Sequence, residues 1–332
     1  MPVLGNEEHK QRLNLSSFAG TVVEMDRSVF DESMTRSGFL NRVISAFWEQ
    51  ADASIDVAVA ERRHQLQANG FEPDIVERLA KDYRNRLQEK KESYPQGDSV
   101  LFRLNNRNFQ LLYEQGIEQD NYATPGKYLK ALIEEYARLS PSEREAVFFR
   151  PLIETVLQPA IDAGSLLVVA IGQKTYWVKP YRLEADPFNS HLYLVGLSRP
   201  EGSPDSQSVA ASFRITRLGQ VRRKAHPSGR LTADDKRDIE KKLQQVGVQY
   251  LIGEKDHIVL RLTPQGQQDF LQRSYMRPMP DKVEGDVYHF SCTQMQIRNY
   301  FLPFGANVQI CQPESLRQQF AEFYTRAAKT YE

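Results

Sequence analysis

The sequence predicts an α+β chain of several domains, and three observations carry that reading. A mostly helical first block contains a strand–helix–helix pattern twice. A middle block runs as short β-rich segments between turns, and a last block alternates strands with amphipathic helices. A chain of 332 residues has room for more than one core, and the predicted domains are 1–148, 149–231 and 232–332.

In the first domain, "QRLNLSSFAGTVVEM" (11–25) opens one unit and "TRSGFLNRVISAFWEQ" (35–50) supplies its second helix. "LFRLNNRNFQLLYEQ" (101–115) and "ATPGKYLKALIEEYARL" (123–139) repeat the order. Arg12-Leu13-Asn14 matches Arg103-Leu104-Asn105, and "FLNRVISAF" matches "YLKALIEEY". In both second helices apolar residues recur at i, i+4 and i+8. Ser37 and Thr124 stand where the N-caps of these helices are expected. One strand with two helices is too small to close a core, so two copies are expected to join their strands into an antiparallel ribbon beneath four helices. This pattern resembles the ribbon-helix-helix family. The resemblance implies strand residues that enter a DNA major groove and a second helix whose start contacts phosphate. Alternation sends Lys10, Arg12 and Asn14 outward and Leu13 and Leu15 inward, with Arg103 and Asn105 as their counterparts. Arg and Asn are the side chains that read guanine and adenine bidentately. The segment at about 50–92, with "ERRHQLQ" and "RNRLQEKKE", reads as a solvated helical hairpin inserted between the repeats.

The middle domain holds four strand-length runs: "SLLVVAIG", "KTYWVKPYRLEA", "SHLYLVGLSR" and "SFRITRLGQVRR". Their spacing predicts a small β-barrel of the SH3 or Sm type. The ordered motifs "VKPYRL", "HLYLVGLSR" and "FRITRL" are similar to the WYL domain, over about seventy residues. Tyr193 and Leu194 match the naming tripeptide, Leu192 replaces its tryptophan, and Phe213-Arg214-Ile215 with Arg217 match the last strand. In the third domain, "TADDKRDIEKKLQQVG" (232–247) reads as a connecting helix opened by Thr232 or Asp234. "HIVLRL", "TPQGQQDFLQR", "VYHFSC", "TQMQIRNYFLPFG", "NVQICQP" and "ESLRQQFAEFYTRAAKTY" then alternate as in a ferredoxin-like sandwich. "YFLPFGANVQICQPESLRQQF" also resembles the extension that follows many WYL domains.

Charge separates the domains more sharply than composition does. The whole chain is neutral, yet from Ser165 to Arg230 ten Lys/Arg face four Asp/Glu, a net of +6 that the remainder offsets with −6. Aromatic residues are interleaved with these cations, the combination that small β-barrels use for unpaired nucleic acid. Candidate contacts are Lys179, Tyr181, Arg182, Tyr193, Arg199, Phe213, Arg214, Arg217 and Arg222; Arg12, Asn14, Arg103 and Asn105 form a second set on the ribbon. The arginines suit phosphate, and Tyr181, Tyr193 and Phe213 suit stacking on bases. Tyr193, between Leu192 and Leu194, reads equally well as core.

No Gly-rich phosphate loop, HExxH, GxSxG or clustered Cys/His spacing occurs, and the six histidines are scattered, so neither an enzyme nor a metal or other cofactor is expected. The opening "MPVLGNEEHK" lacks a basic then apolar leader, the longest apolar run is "LLVVAI", and the two cysteines form no framework. A cytoplasmic protein without membrane spans is expected.

The combined pattern resembles the WYL accessory proteins found with RNA-targeting type VI-D CRISPR effectors. That resemblance implies a non-catalytic regulator whose barrel binds single-stranded RNA and modulates an effector nuclease. The alternative is a transcriptional repressor whose ribbon reads duplex DNA while the barrel senses a nucleotide or single-stranded RNA or DNA. Family resemblance also implies a homodimer through the C-terminal domain.

Overall fold

The computed structural model describes residues 9–48, 50–92, 96–113, 122, 124–224, 229–251, 256–274 and 276–331. Glu49, Glu114, Gln115 and Ala123, which belong to the repeat stretches, and His226, one of the six histidines, lie outside them, as does the opening segment 1–8. The fold is α+β, with three antiparallel sheets among the described residues. None of the described helices is long and apolar enough to cross a membrane. The chain forms two compact units, 1–158 with 188–192, and 159–187 with 193–332.

The first unit begins with β1 (Lys10–Ser16), α1 (Ser17–Phe30) and α2 (Arg36–Ala46). The insert follows as α3 (Ala53–Ala68) and α4 (Pro73–Glu92), then β2 (Gln96–Arg103), α5 (Asn106–Tyr113), α6 (Pro125–Arg138) and α7 (Pro141–Phe148). β1 and β2 pair antiparallel within the one chain, Lys10 opposite Arg103 and Arg12 opposite Leu101. Alternation puts Leu13, Leu15, Val100, Phe102 and Leu104 into the core with Phe39, Leu40, Leu129, Leu132 and Tyr136. The N-cap of α2 is Thr35, whose side chain accepts from the Gly38 amide; Ser37, expected in that role, is the second residue of the helix and accepts from the Arg103 amide. Thr124 does cap α6. The insert is a helical hairpin with a small core of Ile55, Val59 and Ala80.

Polar groups buried in this unit are paired across long sequence separations, as burial requires. Glu134 of α6 accepts from the Ser16 amide at 2.6 Å and the Ser16 hydroxyl at 2.7 Å, while Ser16 itself caps α1. Asp26 accepts from Tyr136 Oη at 2.7 Å and from Arg144 Nε at 2.6 Å. Burial beside Asp26 pushes the Tyr136 hydroxyl well above its ordinary pKa. Lys91 donates to Glu135 at 2.6 Å and to the Ala51 carbonyl at 2.6 Å.

A helical run, α8 (Arg150–Leu152), a π-turn (Ile153–Leu157) and α9 (Gln158–Ala163), leads into the second unit. There β3 (Leu166–Ile171), β4 (Lys174–Ala185), β5 (Leu192–Pro200), β6 (Val209–Arg214) and β7 (Val221–Lys224) form one sheet of order β6-β5-β4-β3-β7. The run "SFRITRLGQVRR" is therefore two strands at opposite ends of the sheet order, broken by a 3-10 turn at Ile215–Arg217. Gly196 lets β5 approach β4, since a Cβ there would run into the Lys179 carbonyl. α10 (Ala233–Val246), opened by a Thr232–Asp235 capping box, packs Ile239 and Leu243 onto Val195, Leu197 and Ala210 of the sheet.

The chain ends with β8 (Asp256–Leu262), α11 (Pro264–Gln272), β9 (Lys282–Glu284), β10 (Val287–Cys292), α12 (Gln294–Phe301), β11 (Val308–Gln312) and α13 (Glu314–Ala328). The sheet order is β11-β8-β10-β9, or 4-1-3-2 in local strand order, around a core of Phe270, Phe290, Ile297, Phe301 and Phe320. β9, a three-residue edge strand with all side chains exposed, lacks the apolar alternation that reveals a strand in sequence.

Candidate nucleic-acid interface

Strand register and side-chain contacts gather four of the ten basic residues of the middle segment, Lys179, Arg199, Arg222 and Lys224, around one side of its sheet. Trp177 on β4 and Arg222 on β7 both pair with Val168 of β3, so all three side chains share a face. Lys224, opposite Leu166, falls two residues along on the same side. The half-buried Trp177 ring lies 4.8 Å from the Arg199 guanidinium and 5.0 Å from Lys224 Nζ, within cation–π range. Lys179 and Arg199 both reach Asp205, at 2.8 and 3.5 Å, and hydrogen bonding from Lys179 holds the Asp205 carboxyl below its ordinary pKa. Arg222, Arg223 and Lys224 are exposed. Trp177, Arg223 and Lys224 were not among the residues singled out from sequence. The signal was present as the charge run of "VRRK", but only pairing through β3 brings Lys224 to Trp177.

Tyr181 and Arg182 belong to a separate network against α10. Tyr181 Oη donates to Glu240 Oε1 at 2.8 Å; Arg182 donates to Glu184 at 2.8 Å and bridges to both Glu240 oxygens. Hydrogen bonds from Arg182 and Tyr181 hold Glu240 below its ordinary pKa. Desolvation would lower the Arg182 pKa, but Glu240 and Glu184 more than offset it and raise that pKa further. Tyr181 also lines a cavity of 390 Å³ with Pro180, Arg230, Leu231 and Lys236.

The remaining candidates divide by burial. Phe213 is 5% exposed and packs on Tyr176 at 5.6 Å, so its ring belongs to the core and offers no face to a base. Tyr193 is half-buried on the apolar cluster beneath α10, with Arg214 as its cross-strand neighbour. Arg199 is 7% exposed and committed to Trp177, Asp205 and the Ser203 carbonyl. Arg217 is exposed on the 3-10 turn. The candidate arginines Arg182 and Arg199 thus fall in two separate networks, because Glu240 takes Arg182 and Asp205 takes Arg199.

In the first unit Arg12, Asn14 and Arg103 are exposed on the ribbon's outer face, and Arg12 Nε donates to Ser99 Oγ at 2.7 Å. Asn105 does not join them. β2 ends at Arg103, and the Asn105 side chain caps α5 by accepting from the Asn108 amide at 2.8 Å. The insert also does more than form a solvated hairpin: Gln88 and Lys91 of α4 line a cavity with Arg12 and Asn14. Among the described residues no group of three or more His, Cys, Asp or Glu is placed to hold a metal ion.

No family model matches this chain, and no curated protein does. Among solved structures, the proteasome accessory factor B/C (PafBC) of Arthrobacter aurescens aligns with 100% of this chain and 52% of its own at 12% identity. Its TM-score of 0.30 is too low to bear on the fold. A crystal structure of a CRISPR Cas-related protein aligns with 100% of this chain and 95% of its own, at 22% identity and a TM-score of 0.77. The chain therefore shares a fold with that CRISPR Cas-related protein along its whole length.

Proposed function

We propose that this chain is a non-catalytic nucleic-acid-binding accessory protein whose basic sheet takes single-stranded RNA and modulates an RNA-targeting CRISPR effector nuclease. On this reading the middle domain is a WYL barrel of the SH3 or Sm type, flanked by a ribbon-helix-helix-like domain and a ferredoxin-like domain. The 4-1-3-2 strand order supports the last assignment. The observation that carries the function is the register that brings Trp177, Arg222 and Lys224 to one face of a sheet, with Arg199 against the Trp177 ring and Lys179 beside Arg199 on Asp205, inside the segment of net charge +6. Exposed Arg222 and Lys224 meet the phosphates, and Tyr181 at its cavity accepts a base.

Titration of labelled single-stranded RNA and of duplex DNA at two salt concentrations tests the reading. Arg222→Ala with Lys224→Ala should weaken RNA binding and flatten its logarithmic salt dependence by about 1.4, the loss expected for two phosphate contacts on a single strand. An unchanged salt slope in that variant would remove the sheet face as the RNA site. The second reading, a repressor, draws on Arg12, Asn14 and Arg103 exposed on a ribbon closed within one chain. It requires sequence-specific duplex binding that Arg12→Ala abolishes. We further propose a cytoplasmic homodimer joined through the C-terminal domain; light scattering at micromolar concentration should give twice the chain mass, and a monomer mass rejects it.

A further inference from the structure

The first unit contains a cavity of 490 Å³, on the scale of small-ligand sites, which the RNA reading leaves without a use. Four basic side chains line it: Arg12 from β1, Lys127 and Lys130 from α6, and Lys91 from α4, whose ammonium is already paired with Glu135. They face one acid, Glu134, whose two oxygens are already taken by the amide and hydroxyl of Ser16. Thr124 and Gly126 also line the cavity, which places it at the N-terminus of α6, the positive end of a fourteen-residue helix.

One further feature suits a nucleotide. Tyr122 supplies an aromatic wall, held by its hydroxyl on Asp52 at 2.5 Å and by an edge-on contact with Tyr128 at 5.5 Å. Burial and the bond to Asp52 push the Tyr122 pKa far above neutrality, so this wall adds no negative charge.

We infer that this cavity is a binding site for a small phosphorylated ligand of nucleotide size. Arg12, Lys127 and Lys130 with the α6 terminus hold the phosphates, and Tyr122 packs on the base or sugar. Because Arg12 and Asn14 also belong to the outer face of the ribbon, an occupied cavity and a duplex on the ribbon compete for the same side chains. A ligand there therefore acts as a negative effector of any duplex binding.

Calorimetric titration of the full chain with inorganic pyrophosphate and with adenosine 5′-diphosphate tests the site. One-to-one saturable binding is expected, tighter for the nucleotide than for pyrophosphate, and weakened about tenfold or more by Lys127→Ala with Lys130→Ala. Lys127 and Arg12 are both exposed, so single Lys127→Ala and Arg12→Ala variants provide a second loss of binding without touching the core. Absence of saturable heat at millimolar probe, or affinities unchanged in all these variants, overturns the proposal. Duplex DNA binding that neither probe displaces also overturns it, assigning the cations to ribbon–phosphate contacts. The Arg222→Ala and Lys224→Ala variant should retain the calorimetric signal, which separates failure here from failure of the RNA reading.

Discussion

At the residue scale, Glu240 is a carboxylate that occupies two of the side chains proposed to meet nucleic acid. Its replacement by Gln should release Arg182 and Tyr181 and raise single-stranded RNA affinity, measured by the same titration; an unchanged or weaker affinity excludes Arg182 from the interface. The same pair sets a pH dependence. The folded-state pKa of Glu240 is depressed, so its contribution to stability is present above the unfolded value of about 4.3 and is lost as pH falls through the folded one. Thermal melts of wild type and Glu240→Gln should therefore differ near neutrality and converge in acid. Both partners are about one-third exposed, so solvent screening keeps the difference small. Asp26 is the buried contrast. Asp26→Ala would strand Arg144 and Tyr136, and urea titration should show a loss of about 3–5 kcal/mol.

At the element scale, α10 covers an apolar patch made by β5 and β6 and carries Glu240. Its capping box satisfies two otherwise orphaned amide donors, so Thr232→Ala should cost about 1 kcal/mol, read as a lowered melting temperature. The ribbon shows where local pattern succeeds and stops. Period-two alternation in "RLNLS" correctly puts Leu13 and Leu15 inside, at 2% and 0% exposure, because pleating leaves no other choice for an amphipathic strand. Asn105 escaped the same logic. Its amide is more useful one residue before a helix, where it accepts from Asn108, than on a strand that ends at Arg103. Likewise Thr35 outcompetes Ser37 as the cap of α2 because the chain turns earlier than the apolar period alone indicates.

At the scale of the whole molecule, neutrality conceals a strong asymmetry, since the segment from Ser165 to Arg230 carries +6 and the remainder −6. Single-stranded RNA binding through about three phosphate contacts should weaken roughly twentyfold between about 50 and 200 mM salt, a slope near −2. A flat salt response would show that the asymmetry serves another purpose. The shared fold with a CRISPR Cas-related protein extends over both units.

The sequence by itself determined the strand–helix–helix repeat of the first block, the run of strands and helices in the last block apart from β9, the capping of α6 by Thr124, and the concentration of positive charge in the middle of the chain. Each depends on residues close together along the chain, where periodicity and charge counting apply. Only the tertiary structure decided which cations are committed and which are displayed. Arg182 is held by Glu240 and Arg199 by Asp205, whereas Arg222 and Lys224 stand exposed beside a tryptophan two strands away. Phe213 became core rather than platform for the same reason. Burial and pairing are set by neighbours distant in sequence, and the cavity where Arg12, Gln88 and Lys130 meet exists only once three separate elements have packed.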